Sequence, residues 1–331
     1  MNFIEKTLKV CHFPGITAIP QGIVGISFLQ QGIAVAIIDC LADGKLLLRH
    51  CAMIETDAAS LAEQLQILRK HFQLKRHVCH VVLTTGNYQL VNVEAPAVAD
   101  QEMSQALRWK LHDLLDFPAD QAIIDWFHLP AAKNTQNRET LSVIATEEQS
   151  VKTYSQACRK AGLNLNVIDI QEMVLRNLAL LLPENERGVA LLHLQQTDGN
   201  LVIIKDGEIY LSRLLDIGHR QLSCHDEPAL YPSPGEESRA SIHFSNLVLE
   251  IQRSLDYVES YYALPPISGI VIIPIPENTQ ALLDQLNSQL SITARILDIP
   301  ALVNCDMALN DELQALCAPA IGAALRSSHS E

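Results

Sequence analysis

Three side chains able to bind a metal stand close together at His77, Cys79 and His80. On a strand, neighbouring side chains point to opposite faces, so His77 and Cys79 would share one face and His80 would take the other. Two ligands on one face are too few for a metal site. The eight cysteines include no CxxC pair, and the spacings Cys40 to Cys51 and Cys305 to Cys317 fit no zinc or haem pattern. They are expected to be buried thiols that pack as small apolar groups. Asp120 and Asp125 flank an apolar pair, with no nucleophile or base supplied around them. The stretch from Asp216 to His225 holds Ser223 and Cys224, but it borders a polar segment and reads as loop. No GxSxG, P-loop or GxGxxG string occurs. The expectation is a protein that is not an enzyme, with no catalytic residue, metal or cofactor.

The elements around these residues carry more information. Ile23 to Leu29, Ile33 to Asp39 and Lys45 to Cys51 read as three short strands, broken by Gln30-Gln31-Gly32 and Asp43-Gly44. A helix is expected from Ala58 to His71 and a buried strand from Val78 to Thr84. The same meander returns at Val189 to Leu194, Leu201 to Lys205 and Glu208 to Leu215. A meander repeated after about 165 residues predicts two lobes of common design. Between them, Gln101 to Leu115 reads as a helix with Asp100 as N-cap and Met103, Leu107, Leu111 and Leu114 on one stripe. Strands at Ile123 to Leu129 and Thr140 to Thr146 flank a polar loop, and a helix from Glu147 to Ala161 stops at Gly162. This α-β-β-α block reads as an inserted subdomain. A strand at Val167 to Ile170 and a helix to Leu182 finish the first lobe. Leu222 to Ser241 is polar and Pro-rich, hence loop. A long helix from Ile242 to Tyr262, a strand at Gly269 to Ile273, a helix from Thr279 to Leu290 and terminal helices to Arg326 close the chain.

Composition sets the outer limits. With 331 residues and 48% apolar content the chain can bury a sizeable core. Its formal charge of −14 argues against nucleic acid and against direct adsorption on anionic lipid. No stretch reaches the roughly 18 apolar residues of a membrane span. Met1 to Lys9 carries Glu5, Lys6 and Lys9 and lacks a signal-peptide core, so a cytoplasmic location is expected.

Several strings in order resemble the PilM family of type IV pilus assembly proteins, most nearly its MshI branch from mannose-sensitive haemagglutinin (MSHA) pili. They are Trp109-Lys110-Leu111 with Leu114-Leu115-Asp116-Phe117-Pro118, then Ile124-Asp125-Trp126, Ala161-Gly162-Leu163, and Asp206-Gly207 with Ser212-Arg213. Leu249-Glu250-Ile251-Gln252-Arg253-Ser254-Leu255-Asp256-Tyr257 and Ala320-Ile321-Gly322-Ala323-Ala324-Leu325-Arg326 complete the set. The resemblance spans nearly the whole chain. It implies an α/β, actin-like, two-lobed fold, as in the division protein FtsA, with ATP between the lobes. It also implies that the inserted subdomain helps grip the cytoplasmic N-terminal peptide of an inner-membrane partner, PilN, which would hold the chain at the inner membrane. The expected organisation is a first lobe over residues 1–187 with the insertion at about 92–164, and a second lobe over 188–299 with a shortened helical subdomain. C-terminal helices at 300–331 would return to the first lobe. The shortening disfavours FtsA-like filaments, although self-association stays open.

The nucleotide site fails residue by residue. The family places Asp-Ile-Gly-Ser on its first hairpin, whereas this chain has Ser27, Phe28, Leu29 and Gln30. Asp-Ile-Gly-Ala on the second becomes His193, Leu194, Gln195 and Gln196, and the glycine-rich adenosine turn becomes Pro274, Ile275 and Pro276. Cβ-bearing residues block approach to phosphate, and the acids that would orient Mg²⁺ are gone. A non-enzymatic scaffold binding a PilN/MshJ-like peptide is therefore expected, the alternative being a nucleotide-driven actin-like ATPase. A GspL-like role in type II secretion is a third reading, disfavoured because those proteins usually carry a membrane span. Met103, Leu107, Leu111, Leu115 and Phe117 are candidates to line the peptide groove, with Trp109 as an anchor. A stripe of this pattern more commonly faces its own sheet. A basic patch from Lys6, Lys9, Arg69, Lys70, Lys75 and Arg76 reads as a solvated face or a surface near a membrane partner.

Overall fold

The computed structural model describes residues 22–30, 32–41, 44–55, 60–133, 139–223 and 239–326. Three antiparallel strands come first, β1 (Ile23–Leu29), β2 (Gly32–Cys40) and β3 (Leu46–Glu55). Helix α1 (Leu61–His71) starts at Ser60, whose hydroxyl accepts the Glu63 N–H at 3.3 Å. β4 (Val78–Val82) then runs parallel to β1. β5 (Gln89–Glu94), α2 (Asp100–Leu111), β6 (Ala122–His128) and β7 (Thr140–Glu147) form the insertion, whose strands lie in the order β5-β7-β6. α3 (Glu148–Ala161) ends at Gly162, which takes the left-handed φ of 72° that a helix stop of this kind requires. β8 (Asn164–Asp169) and α4 (Gln171–Ala179) finish the first half.

The second half repeats the plan with β9 (Val189–Leu194), β10 (Gly199–Lys205) and β11 (Glu208–Leu215). Asp206 and Gly207 both take positive φ, 51° and 77°, as a tight two-residue hairpin demands. A short helix α5 (His219–Ser223), the long α6 (Arg239–Tyr262), β12 (Gly269–Ile272), α7 (Thr279–Gln289), β13 (Ala294–Ile296), β14 (Asn304–Cys305) and α8 (Asp311–Ala324) follow. One sheet reads β14-β3-β2-β1-β4-β8 and the other β11-β10-β9-β12-β13. Apart from β14 the two orders are the same, so the repeated meander in the sequence is a repeated sheet in space.

Helices α4 and α8 pack between the sheets, in a core that combines Ala34 and Ala36 with Leu175, Ile321, Leu191 and Val202. Small residues set their separation: a Cβ at Gly322 would stand 2.3 Å from the Val174 carbonyl oxygen, and one at Gly25 would meet the Ala320 carbonyl oxygen at 1.8 Å. α1 and α3 cover the outer face of the first sheet, and α6 and α7 cover that of the second.

Several sequence expectations change in detail. Ala99, not Asp100, caps α2; Asp100 sits in the first turn, where its charge still favours the helix N-terminus. α2 ends at Leu111, and Leu114 is exposed beyond it. The insertion has a third strand, β5, and its following helix α3 packs on the main sheet beside α1. Among the described residues the C-terminal region holds one α-helix, α8, preceded by β13 and β14. The expected loop from Leu222 to Ser241 narrows, because α5 runs to Ser223 and α6 starts at Arg239; residues 224–238 lie outside the described residues, as do Lys6, Lys9 and Cys224.

Candidate functional site

Two places bear on the sequence reading, the lobe junction and a cavity on the first lobe. At the junction, Ser27 in the last turn-facing part of β1 is only 2% exposed, and Leu29, where the strand ends, packs against the interlobe core. The turn after β9 is held by the chain that follows β11. The His219 N–H donates to the Gln195 carbonyl at 2.8 Å, Arg220 N–H to the Gln196 carbonyl at 3.2 Å, and the Gln221 amide to the Thr197 carbonyl at 3.2 Å. Gly218 lies so close that a Cβ there would sit 2.5 Å from the Gln196 carbonyl. His193 is buried opposite Asn200 in the β9–β10 register. Burial, with His219 nearby, pushes its imidazole down to about 4, so it is neutral. Asp198, at the same turn, is raised above the ordinary carboxylate range, first by burial.

The third element is also engaged internally. Ile275 N–H donates to the Thr279 hydroxyl at 3.0 Å, and that hydroxyl donates to the Ile275 carbonyl at 2.9 Å. Ile275 itself is buried, between Pro274 and Pro276. Of the backbone N–H groups at these turns, those of Gln195 and Ile275 are already donated, to the Asp198 carbonyl at 2.8 Å and to the Thr279 hydroxyl at 3.0 Å.

An open cavity of about 390 Å³ lies on the first lobe, between the β1–β2 turn, α1 and α3. That size falls in the usual range for ligand pockets, about 300–1,000 Å³. Phe28 and Tyr154 form its aromatic wall, with ring centroids 5.2 Å apart. Gln30, Gln64, Asn87 and Thr153 supply polar groups around it. The Asn87 carbonyl accepts the Thr146 hydroxyl at 2.6 Å, and the Asn87 amide donates to Thr84 Oγ1, which ties the loop after β4 to the insertion. An aromatic floor with amides and hydroxyls at its edge suits a short extended peptide, whose backbone needs hydrogen bonds and whose apolar side chains need cover.

The six expected partner-binding residues do not form that surface. Leu107 and Leu111 are fully buried against the insertion's own sheet, together with Trp126 and Val143. Met103, Leu115 and Phe117 pack partly buried on the same cluster. Arg108 donates to the Ala119 and Ala122 carbonyls and Lys110 to the Glu94 carbonyl, which fastens α2 to its subdomain. Trp109 alone is free, 79% exposed on the outer side. The apolar stripe faces its own sheet because three strands need a cover and α2 provides it.

One feature escaped the sequence altogether. Tyr88 donates to Glu172 Oε2 at 2.8 Å and Ser212 donates to Oε1 at 3.3 Å, joining the insertion, α4 and β11 through a buried carboxylate. Burial raises the Glu172 carboxyl above its ordinary range. Each residue is unremarkable in the string; only the fold brings them together. The His77, Cys79, His80 group divides as alternation requires, with His80 buried and its Nδ1 2.9 Å from the Ala323 carbonyl oxygen on the opposite side. Among the described residues no group of three His, Cys, Asp or Glu is placed to hold a metal ion, and no helix is long and apolar enough to cross a membrane.

A family model described as "Type IV pilus assembly protein PilM" matches residues 45–226. Among solved structures, the chain is similar to the "PilM-PilN type IV pilus biogenesis complex" at 18% identity and a TM-score of 0.71, covering 92% of this chain and 98% of that one. It is also similar to a Bacteroides thetaiotaomicron protein with an actin-like ATPase fold, at 9% identity and a TM-score of 0.50, covering 89% of this chain and 95% of the other. No curated protein matches by sequence. At these identities the structural likenesses show the fold, which is actin-like.

Proposed function

The chain belongs to the family of type IV pilus assembly proteins PilM, and from that premise we propose that it is a non-enzymatic scaffold which binds the cytoplasmic N-terminal peptide of a PilN-like inner-membrane protein. The observation that carries this reading is the cavity walled by Phe28 and Tyr154. It opens on residues of the very hairpin that has lost its phosphate-binding character. The neighbouring structure, solved as a PilM-PilN complex, supports a partner of that kind. The internally bonded turns at Gln195 to Thr197 and at Ile275 support a lobe junction that no longer takes nucleotide. In this reading the protein works in the cytoplasm and reaches the inner membrane through its partner. The sequence strings favour an MSHA-type system, with an MshJ-like protein as the partner.

Calorimetric titration of a synthetic N-terminal peptide of the PilN-like partner into the full chain tests the proposal. Saturable binding is expected, weakened about tenfold or more by Phe28→Ala or Tyr154→Ala, because aromatic anchors dominate such contacts. Absence of heat, or undiminished binding by both folded variants, would count against it. The rival is an actin-like ATPase, which the repeated lobes favour; it requires nucleotide binding at the junction.

A further inference from the structure

At the end of the first sheet away from the β1–β2 turn, a second cavity of about 740 Å³ opens beneath the C-terminus of α1. Arg49 and His50 reach it from β3, His71 and Phe72 from the end of α1, and Gln73 and His77 from the turn into β4. The Phe72 ring stands between two imidazoles, 5.7 Å from His50 and 4.7 Å from His71. His77 Nδ1 is buried without a hydrogen-bond partner. Gln73 holds a left-handed φ of 54°, a conformation uncommon for a residue with a Cβ and most often kept where a site depends on it.

The rim adds charge. Residues 69–77 contain four Lys or Arg and two His with no acid, in a chain whose net charge is −14. Lys70, Lys75 and Arg76 are exposed there. Among the described residues, none of the three takes part in an ion pair. Two acids bear on the cavity: Asp39 pairs with Arg49, which also lies 3.3 Å from Asp306. Asp39 itself lines the cavity, so these two acids and Arg49 together carry one net negative charge, and the positive charge comes from the rim.

We propose that this cavity binds a single phosphate group, carried by a small soluble molecule or by a phospholipid headgroup. The rim draws the anion in, while imidazole N–H groups and the Gln73 amide donate from several sides to its oxygens. The aromatic wall of Phe72, His50 and His71 accommodates the attached organic part. A long polyanion is disfavoured by the acidity of the remaining surface.

Two probes and two kinds of variant decide it. sn-Glycerol 3-phosphate is titrated into the full chain by calorimetry, and cosedimentation is measured with phosphatidylglycerol vesicles against phosphatidylcholine vesicles. Saturable binding to at least one phosphate probe is expected, reduced about tenfold or more in the triple variant Lys70→Glu, Lys75→Glu, Arg76→Glu. His50→Ala and His77→Ala, which leave the Lys and Arg residues of the rim in place, are expected to weaken it about fivefold by loss of one hydrogen bond. Binding to glycerol phosphate assigns a soluble source; binding to the anionic vesicles alone assigns a lipid headgroup. The proposal is overturned if neither probe binds saturably. It is equally overturned if charge reversal matters while the His variants bind like the parent, since that is adsorption to a charged face. Should His77→Ala fail to fold, the exposed His50→Ala decides.

Discussion

His193 is buried at the lobe junction, and its burial has a measurable cost in acid. Its folded-state value of about 4 lies below the ordinary 6.5, so between those limits the unfolded chain takes up a proton that the native chain refuses. Stability should therefore be fully present above pH 6.5 and decline as pH falls, by on the order of 3 kcal/mol for this residue once pH 4 is reached. Urea unfolding of the parent and of His193→Gln at pH 7 and pH 5 checks it: the variant should lose less stability on acidification. At Glu172, Ala substitution leaves the buried Tyr88 hydroxyl without its acceptor and should cost about 1–3 kcal/mol, with Gln costing less because it keeps an oxygen for that bond. Ser27 and His193 themselves were readable as letters. The lid formed by Gly218 to Gln221 was not, because it depends on where a distant strand returns.

A helix with one apolar stripe announces that it has a covered face without saying what covers it, and α2 illustrates the gap. Its stripe was legible at Met103, Leu107 and Leu111; that β5, β6 and β7 are the cover was not. β5 itself, Gln89-Leu90-Val91-Asn92-Val93-Glu94, mixes polar and apolar residues and became a strand only by pairing with β7. β13 and β14 are too short to leave a period in the sequence. Leu107→Ala or Leu111→Ala should cost about 2–5 kcal/mol by opening a cavity, whereas Trp109→Ala should change stability by less than about 0.5 kcal/mol. Thermal or urea unfolding separates these outcomes, and a costly Trp109→Ala would mean a contact that α2 does not make here. Where α8 crosses α4, Gly322→Ala forces a Cβ toward the Val174 carbonyl and should cost about 1–3 kcal/mol.

Across the whole molecule, two sheets of matching order clasp α4 and α8; the two-lobe repeat followed from the meander that recurs after about 165 residues, and the clasped helices did not. What the lobes do with their junction is set by a few turns. In the proposed reading the junction takes no nucleotide, and an open aromatic cavity on the first lobe beside α1 and α3 takes the partner peptide. Thermal unfolding of the full chain with Mg-ATP at millimolar concentration tests this division most directly. A ligand at about a hundred times its dissociation constant adds about 2.7 kcal/mol of stability, enough to move the midpoint by several degrees. The expected result is an unchanged midpoint with Mg-ATP and with ADP; a rise of several degrees with either nucleotide would contradict a closed junction.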